Sequence, residues 1–337
     1  MTTSIPAIII PGDGIGPEIT AATLTVLSRL GAPFVWETCD AGLKAFEAEG
    51  TALPQRTLDG IRGTGLALKG PLATPSSGGY RSANVTLRET FDLFANVRPA
   101  KTIVPGRFEN VDIVLIRENI EGMYAAQESY IPEGDDPRAI AVATCRNSRA
   151  ECRRILRFAF DLAVAQGRRK VTVVHKANIL KILSGIFLET AREIAPEYDG
   201  KVVFEERIVD ACAMQLVVDP SRFDVIVTTN LFGDILSDLI AGLVGGLGLV
   251  AGANIGNRAA IFEAVHGTAP DIAGRGIANP SAIMMAAGMM LDHVGRQDLG
   301  NRLRGAIEAT LRAGERTGDL GGSLGTREFA DAVASRL

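Results

Sequence analysis

The amino-acid sequence predicts an α/β protein with a largely parallel β-sheet. Short runs of apolar and β-branched residues alternate with longer amphipathic segments, which is the order of strands and helices in parallel α/β folds. The chain has 337 residues, of which 47% are hydrophobic, so it can bury a large core. Two domains are expected at this length.

The first predicted elements are a strand at residues 7–10, a Gly-rich turn and a helix. The turn, GDGIGPE at residues 12–18, stands where a dinucleotide-binding G-x-G-x-x-G motif would stand. A third glycine at the correct spacing is missing, and Pro17 instead suits the first position of the helix. The segment is therefore a weak nucleotide-binding signal, and a tight turn before a helix explains it equally well.

The remaining elements follow in the same alternating order, and the last third of the chain is mostly helical. Buried strands are predicted at residues 170–174, 202–204 and 225–228, and helices at residues 153–165, 179–194, 235–244, 281–294 and 299–312. Pro99, Pro105 and the segment 132–137 are predicted to mark loops or crossings between domains.

Composition and charge argue against several classes of protein. The net charge of −4 and the lack of a basic block argue against a nucleic-acid partner. Apolar runs are interrupted before about 18 residues, so no membrane-spanning helix is expected. No signal peptide is recognised, and the four cysteines lack metal-type spacing, which predicts free thiols in a reducing compartment. We expect a cytoplasmic protein; the mitochondrial matrix is the alternative, and Met1 favours the cytoplasm.

Two aspartates form the most informative local pattern, in the segment NLFGDILSD at residues 230–238. Asp234 and Asp238 are four residues apart and therefore lie on one face of the predicted helix. Their like charges repel, at a cost of about 0.2–0.5 kcal/mol on an exposed helix and more among apolar neighbours. A divalent cation such as Mg²⁺ would relieve this repulsion. The alternative is two acids that are favoured by the dipole of the helix N-terminus.

A second group of polar residues lies between residues 70 and 117. Ser82, Asn84 and Arg88 are predicted to share one side of a helix start, and Arg98 and Arg117 follow at or near the ends of apolar runs. Arginine binds carboxylates and phosphates through paired hydrogen bonds, so three arginines in one cleft suit a substrate with several carboxylates. Each arginine taken singly is better explained as a solvated surface residue, but the set is not.

Two further side chains have the chemistry of proton transfer. Lys176 directly follows a predicted buried strand, where ligand clefts form in α/β proteins, and its amine can serve as a general base. Tyr124 has a phenol that can donate a proton. Each is a weak signal by itself.

Taken together, these segments resemble the metal-dependent β-decarboxylating dehydrogenases, the family of isocitrate and 3-isopropylmalate dehydrogenases. The resemblance covers essentially the whole chain, through GDGIGPE, RENIEGMY, VHKANILK, NLFGDILSD, GANIG and EAVHGTAPDIAGRGIANP. It implies a two-lobed α/β fold that is not a Rossmann fold, which agrees with the poor glycine match. It also implies a large cofactor-binding domain from residues 1–98 and 250–337, and a small domain, residues 99–249, that makes a dimer interface.

The resemblance also implies roles for the candidate residues. Asp234 and Asp238 are similar to ligands of Mg²⁺ or Mn²⁺, and Asp210 of the partner subunit is similar to the third ligand. Lys176, also from the partner subunit, corresponds to the group that assists deprotonation of the substrate hydroxyl, and Tyr124 to the acid that protonates the enol. Arg88, Arg98 and Arg117 match the arginines that bind substrate carboxylates.

Substrate and cofactor preference follow from the same resemblance. Ser82 and Asn84 match the isocitrate type, in which they hydrogen-bond the γ-carboxylate, whereas Leu and Glu are typical of the isopropylmalate type. NAD is expected because Asp271 and Ile272 replace the Lys and Tyr that bind the 2′-phosphate of NADP. The full predicted set of cofactor-binding residues is Leu72, Thr74, Asn178, Glu263, His266, Gly267, Asp271, Ile272 and Asn279.

The expected activity is NAD-dependent oxidative decarboxylation of isocitrate to 2-oxoglutarate and CO₂, a reaction of the tricarboxylic acid cycle, by a homodimer or larger assembly with shared active sites. The alternatives are homoisocitrate or 3-isopropylmalate as substrate. A non-catalytic regulatory subunit of a heteromeric isocitrate dehydrogenase is a rival from another class, but such subunits tend to lose the metal aspartates, the lysine or the tyrosine, which this chain keeps. A Mg²⁺-dependent phosphatase would need a nucleophile motif that is not evident.

Overall fold

The computed structural model of the protein describes residues 4–74, 80–104 and 108–337. The strands are β1 Ile5–Ile10, β2 Phe34–Thr38, β3 Leu66–Lys69, β4 Ala95–Lys101, β5 Asp112–Glu118, β6 Gln127–Glu133, β7 Asp136–Thr144, β8 Lys170–His175, β9 Val203–Ile208, β10 Val225–Thr228, β11 Ala251–Ile255 and β12 Ala260–Ala264. The helices are α1 Gly16–Leu30, α2 Leu43–Glu49, α3 Gln55–Thr64, α4 Ala83–Thr90, α5 Arg149–Ala165, α6 Gly185–Ile194, α7 Val209–Val218, α8 Asn230–Leu243, α9 Ser281–His293, α10 Gln297–Arg312 and α11 Thr326–Ala334. The α/β prediction is therefore confirmed.

The described chain forms two compact units. The first comprises Met1–Leu93, Arg98–Glu109 and Ala241–Leu337, and the second comprises Phe94–Val97 and Asn110–Ile240. The assignment of cofactor binding to one part of the chain and of a dimer interface to the other stays a prediction.

In the first unit, the strand order is β2-β1-β3-β12-β11. The pairs β1–β2, β1–β3 and β3–β12 are parallel, and β11–β12 is antiparallel. β1 and β3 have buried side chains on both faces, which is typical of strands covered by helices on each side of a sheet. One apolar cluster joins β1 and β3 to α3 and α4, and it includes Ile8, Ile61 and Leu87.

In the second unit, β5, β10, β8 and β9 pair in that order, and each pair is parallel. Thr228 at the end of β10 aligns with Arg117 of β5 and with Val174 of β8. The carboxyl ends of these strands therefore lie at one edge of the sheet, which is where ligands bind in open α/β sheets.

Several predicted element boundaries were wrong. The predicted helix at 179–194 begins at Gly185, because residues 177–183 form turns with Ile179 and Ile182 exposed. The segment 132–137, predicted as a loop or a crossing, contains the turn of the hairpin β6–β7, and the residues on either side of that turn belong to the two strands. Pro17 is the second residue of α1 rather than its first. Pro99 lies inside β4, directly after the point where the chain passes from the second unit to the first between Val97 and Arg98, which agrees with its predicted place at a crossing. Pro105 lies outside the described residues.

The hairpin β6–β7 is a separate two-stranded sheet, and nearly all of its residues are exposed. An isolated two-stranded hairpin is only marginally stable in water. No helix among the described residues is long and apolar enough to span a membrane.

Candidate active site

Three predicted site residues of the second unit meet beside the carboxyl edge of its sheet. Arg117 lies in β5, Tyr124 lies in a short 3₁₀ turn after it, and Asp234 lies in the first part of α8. The Arg117 guanidinium, which is only 1% exposed, donates from Nη1 to Oδ1 of Asp234. The Tyr124 hydroxyl donates to Oδ2 of the same carboxylate. Arg117 Cζ also lies 4.7 Å from the centre of the Tyr124 ring, within range of a cation–π contact.

These contacts change the electrostatic account of the aspartate pair. The spacing in the sequence predicts repulsion between Asp234 and Asp238, with a cation as the simplest relief. In the structure, the buried and positively charged guanidinium of Arg117 forms a salt bridge with the Asp234 carboxylate. The prediction that this carboxylate is strained by like charge alone is therefore incomplete, because a guanidinium already offsets part of its charge.

Tyr124 is kept protonated by its surroundings. Burial raises the pKa of its phenol, and the adjacent Asp234 carboxylate raises it further through a hydrogen bond and through its charge, although Arg117 opposes them. A phenol with a raised pKa carries its proton throughout the neutral range. The geometry therefore suits Tyr124 to donate a proton.

Lys176 and Asp210 form a second pair in the same unit. Lys176 directly follows β8, as predicted, and its Nζ lies 2.5 Å from Oδ1 of Asp210 at the start of α7. The hydrogen bond from Lys176 lowers the pKa of Asp210. The Lys176 side chain is about a quarter exposed and the Asp210 side chain about two thirds exposed, so the pair is open to solvent.

The carboxylates suit a hard divalent cation, but one chain does not bring three of them together. Asp234 and Asp238 supply carboxylate oxygens one helical turn apart, which is the ligand type that Mg²⁺ and Mn²⁺ prefer. Within residues 4–74, 80–104 and 108–337, no group of three or more His, Cys, Asp or Glu side chains is placed to hold a metal. Asp210 is thus not grouped with Asp234 and Asp238 in a single chain.

The first unit contains the residues that are predicted to bind the variable part of the substrate. Ser82 occupies the N-cap position of α4 without a capping hydrogen bond from its side chain, Asn84 is the second residue of the helix, and Arg88 lies one turn beyond Asn84. The Ser82 hydroxyl lies 3.2 Å from that of Thr74, a predicted cofactor-binding residue. The amide oxygen of Asn84 is buried and has no hydrogen-bond partner among the described residues. A buried acceptor without a partner is costly, so a ligand group that donates a hydrogen bond would satisfy it.

A buried ion pair lies under α4. Lys69, at the end of β3, places its Nζ 2.7 Å from Oε2 of Glu263 in β12, and Asn254 donates to the other carboxylate oxygen at 2.7 Å. Although burial opposes ionisation of Glu263, the charges of Lys69 and Arg88 lower its pKa to about 2. Arg88, Asn84 and this network line one small cavity. Glu263, predicted to bind the cofactor, thus has its carboxylate engaged by Lys69 and Asn254.

The other predicted cofactor-binding residues are spread over loops. Leu72 is buried beside the Gly-rich turn, and His266 and Gly267 follow β12. Asp271 lies exposed in a turn with Ile272, and Asn279 donates to Asp319 at 3.0 Å. Asn178 lies exposed in the turn after Lys176. Arg98, a predicted substrate residue, is buried within β4.

The Gly-rich turn organises these loops by close packing. Asp13 accepts hydrogen bonds from the backbone of Leu43, Lys44 and Ala73, and so ties the start of α2 to the loop that holds Leu72 and Thr74. Gly14 has a φ of 57°, and a Cβ there would lie 2.0 Å from the carbonyl oxygen of Thr268. The glycine therefore permits the turn to contact the segment that follows His266.

Sequence reasoning missed three residues of these networks. Asp13 lies in the Gly-rich turn, and Lys69 ends β3, a strand that is not among those predicted. Asn230 accepts hydrogen bonds from Arg117, and in the sequence it is only the first residue of the aspartate motif. A charged residue inside an apolar strand was the available signal for Lys69, since buried lysines require a partner.

The fold and these clusters belong to a dehydrogenase family. The isocitrate/isopropylmalate dehydrogenase family matches residues 7–333, and the chain is a member of it. The predicted resemblance and the predicted fold type are confirmed. Members of this family generally use a divalent metal and NAD or NADP.

Similar proteins with different substrate names match almost the whole chain. The 3-isopropylmalate dehydrogenase of Archaeoglobus fulgidus is 47% identical over 98% of this chain and 98% of its own length. The isocitrate/homoisocitrate dehydrogenase of Thermus thermophilus is 45% identical over 98% and 97%. The crystal structure of isocitrate dehydrogenase from Methylococcus capsulatus has a TM-score of 0.95 at 52% identity and covers 98% of this chain and 99% of that chain. Family membership therefore establishes a dehydrogenase but leaves its substrate open.

Proposed function

We propose that this protein oxidises and decarboxylates isocitrate to 2-oxoglutarate and CO₂, with NAD and with Mg²⁺ or Mn²⁺. The observation that carries the choice of substrate is the polar start of α4, where Ser82 and Asn84 precede Arg88. The Ser82 hydroxyl and the Asn84 amide nitrogen can donate hydrogen bonds to a γ-carboxylate, and an isopropyl group would leave both donors unpaired. A site built from polar groups rejects an analogue that leaves them unpaired, by up to about 10⁴–10⁵-fold.

In this proposal, the three arginines hold the substrate carboxylates, and two residues move protons. Lys176 assists removal of the proton from the C2 hydroxyl, and Tyr124 returns a proton to the carbon that loses CO₂. The raised pKa of Tyr124 supports the second role, because the phenol reaches that step protonated. When bound, the divalent cation would supply Lewis-acid stabilisation of negative charge on the C2 oxygen, and NAD would supply the acceptor for the C2 hydride.

Asp234 and Asp238 would hold the cation together with Asp210 of the partner subunit. This assignment is supported by the placement of the three carboxylates, since one chain does not group them. Self-association is supported by the surface, because most of the exposed large apolar side chains belong to the second unit. Examples are Ile182 in the turns before α6, Val218 in α7 and Tyr130 in the hairpin, which are 88%, 70% and 57% exposed.

A substrate panel tests the proposal directly. The absorbance of the reduced nicotinamide is followed with isocitrate, homoisocitrate, 3-isopropylmalate and tartrate, each with NAD or NADP, and with Mg²⁺ or excess EDTA. We expect the highest kcat/KM with isocitrate and NAD, and none with EDTA. A higher kcat/KM with 3-isopropylmalate, the substrate named for the relative that is 47% identical, would reject the isocitrate assignment.

The preference for NAD is tested at two positions. Asp271 is exposed and negatively charged, so it would repel a 2′-phosphate and accept hydrogen bonds from ribose hydroxyls. We expect the double substitution Asp271→Lys with Ile272→Tyr to raise kcat/KM for NADP and to lower it for NAD. The matched control is Arg275→Lys in the same exposed loop, which should leave both values unchanged. Unchanged NADP activity in the double variant would show that these two residues do not contact the ribose or its 2′-phosphate.

A further inference from the structure

Asn230 is fixed in one orientation by its contacts. It is the first residue of α8 and only 1% exposed. Its amide nitrogen donates to the carbonyl oxygen of Glu121 at 3.1 Å, so the amide oxygen must face the other way. That oxygen accepts from Nε of Arg117 at 3.1 Å and from Nη2 at 2.8 Å.

The remaining sides of Arg117 are also bounded. A Cβ at Gly233 would lie 2.6 Å from Cγ and 2.7 Å from Cβ of Arg117, so the aliphatic stem packs directly on the backbone of α8. The Tyr124 ring covers the guanidinium, and Nη1 faces Asp234. Asn230 accepts the hydrogen bonds from Nε and Nη2 of Arg117, so Nη1 is the atom that is directed at the Asp234 carboxylate.

We propose that Asn230 is a positioning residue that sets the plane of the Arg117 guanidinium. The inference rests on the proposed function in so far as Arg117 binds a substrate carboxylate. Paired recognition of a carboxylate requires a guanidinium held in one plane, and side chains that bind through fixed geometry depend on the hydrogen bonds behind them. Without Asn230, Arg117 keeps its charge but loses the two hydrogen bonds that fix its rotation.

Kinetics of Asn230→Ala test this role. We expect KM for isocitrate to rise about 10- to 100-fold, since two hydrogen bonds to a charged group are lost. We expect kcat to fall less than KM rises, and KM for NAD to change less than about 2-fold, because Arg117 acts on the carboxylate. The matched control is Asn147→Ala, which removes another asparagine of this unit that donates to a backbone carbonyl, that of Leu183 at 2.8 Å. The control should leave KM for isocitrate unchanged.

A double-mutant cycle separates positioning from a merely structural role. If Asn230 acts through Arg117, then Asn230→Ala should add little to the KM of an Arg117→Lys protein, because lysine has no planar group to orient. Effects that multiply independently in the double variant would overturn the inference.

A spectroscopic measurement keeps the inference testable if isocitrate is not the substrate. The Arg117 Nε–H signal in a ¹H–¹⁵N spectrum is assigned by its loss in Arg117→Lys. We expect slow solvent exchange of this proton in the natural protein and in Asn147→Ala, and fast exchange in Asn230→Ala. Equal protection in Asn230→Ala would overturn the inference, whereas inactivity of the natural protein on isocitrate would reject only the proposed substrate.

Discussion

At the scale of single residues, Asp234 is held by groups that compensate its charge. Its two carboxylate oxygens accept from Arg117 and from Tyr124, and the arginine is almost completely buried. If Asp238 were the only charged neighbour of Asp234, the variant Asp234→Asn would be as stable as the natural protein or slightly more stable. The salt bridge reverses that expectation, because the variant leaves a buried guanidinium facing an amide.

We therefore expect Asp234→Asn to lower the free energy of unfolding in EDTA by about 1–3 kcal/mol, less than for a fully buried pair because Asp234 is one third exposed. Metal-dependent activity should be lost as well. Urea unfolding gives the free energy, and Asp59→Asn is the control, since its partner Arg62 is exposed. Equal stability of the two variants and the natural protein would show that Arg117 contributes nothing to holding Asp234.

The sequence predicts some of these residues better than others. Asp234 and Asp238 stand out because acids are rare in an apolar helix, and Lys176 because it ends a buried strand. Asn230 contacts Arg117, about 110 residues away in the chain, and Lys69 contacts Glu263, about 190 residues away. Spacing along the chain does not predict contacts between residues so far apart. The salt bridge between Arg117 and Asp234 is not predictable from spacing for the same reason.

At the scale of elements, the buried Lys69–Glu263 pair joins β3 to β12. The pKa of Glu263 is about 2, below its ordinary value of 4.5, so the carboxylate stabilises the fold above about pH 4.5 and this contribution is lost as the pH falls toward 2. We expect Glu263→Gln to lower the free energy of unfolding at pH 7 by about 3–5 kcal/mol, because Lys69 then remains charged and buried.

The double variant Lys69→Met with Glu263→Leu is the control for that prediction. It replaces both charges and should cost less than Glu263→Gln alone. Urea unfolding between pH 7 and pH 3 checks both variants. The deficit of Glu263→Gln relative to the natural protein should shrink at the acid end, and a deficit independent of pH would contradict the ionised state of Glu263.

The first turn of α8 depends on a glycine for its contact with β5. Alanine favours helices over glycine by up to about 1 kcal/mol, but a methyl group at residue 233 would overlap the stem of Arg117. We expect Gly233→Ala to be destabilised by about 1–3 kcal/mol and to raise KM for the substrate. Gly242→Ala, in the same helix with open space around it, should be neutral or slightly stabilised. Thermal unfolding of both variants makes the comparison, and equal midpoints would argue against close packing on Arg117.

Element prediction from the sequence failed where apolar residues are exposed. The run NILKIL continues the apolar pattern of α6 backward, yet it forms turns with Ile179 at 67% and Ile182 at 88% exposed. Periodicity identifies a helix only when the apolar face packs within the same chain. The hairpin β6–β7 escaped prediction for a related reason, because its two prolines favoured a loop and its residues are exposed on both faces.

At the scale of the whole molecule, Lys176 and Asp210 are the residues whose subunit of origin differs between a shared active site and a site within a single chain. Tyr124 contacts Asp234 in the same chain, whereas Lys176 pairs with Asp210. One chain does not group Asp210 with Asp234 and Asp238. If two subunits complete each site, Lys176→Met and Asp234→Asn inactivate different halves of it.

We therefore expect two inactive variants to complement each other. In a heterodimer of Lys176→Met and Asp234→Asn, one site carries both changes and the other carries neither, so activity should return to roughly half of the natural dimer. The two chains are co-expressed with different affinity tags, purified through both tags and assayed with isocitrate and NAD. The matched control is a heterodimer of Tyr124→Phe and Asp234→Asn, because those residues contact each other within one chain and each site then loses one of them. Recovery in the first heterodimer and none in the second would support sharing between subunits, whereas inactivity of both would place Lys176 in the same chain's site as Asp234.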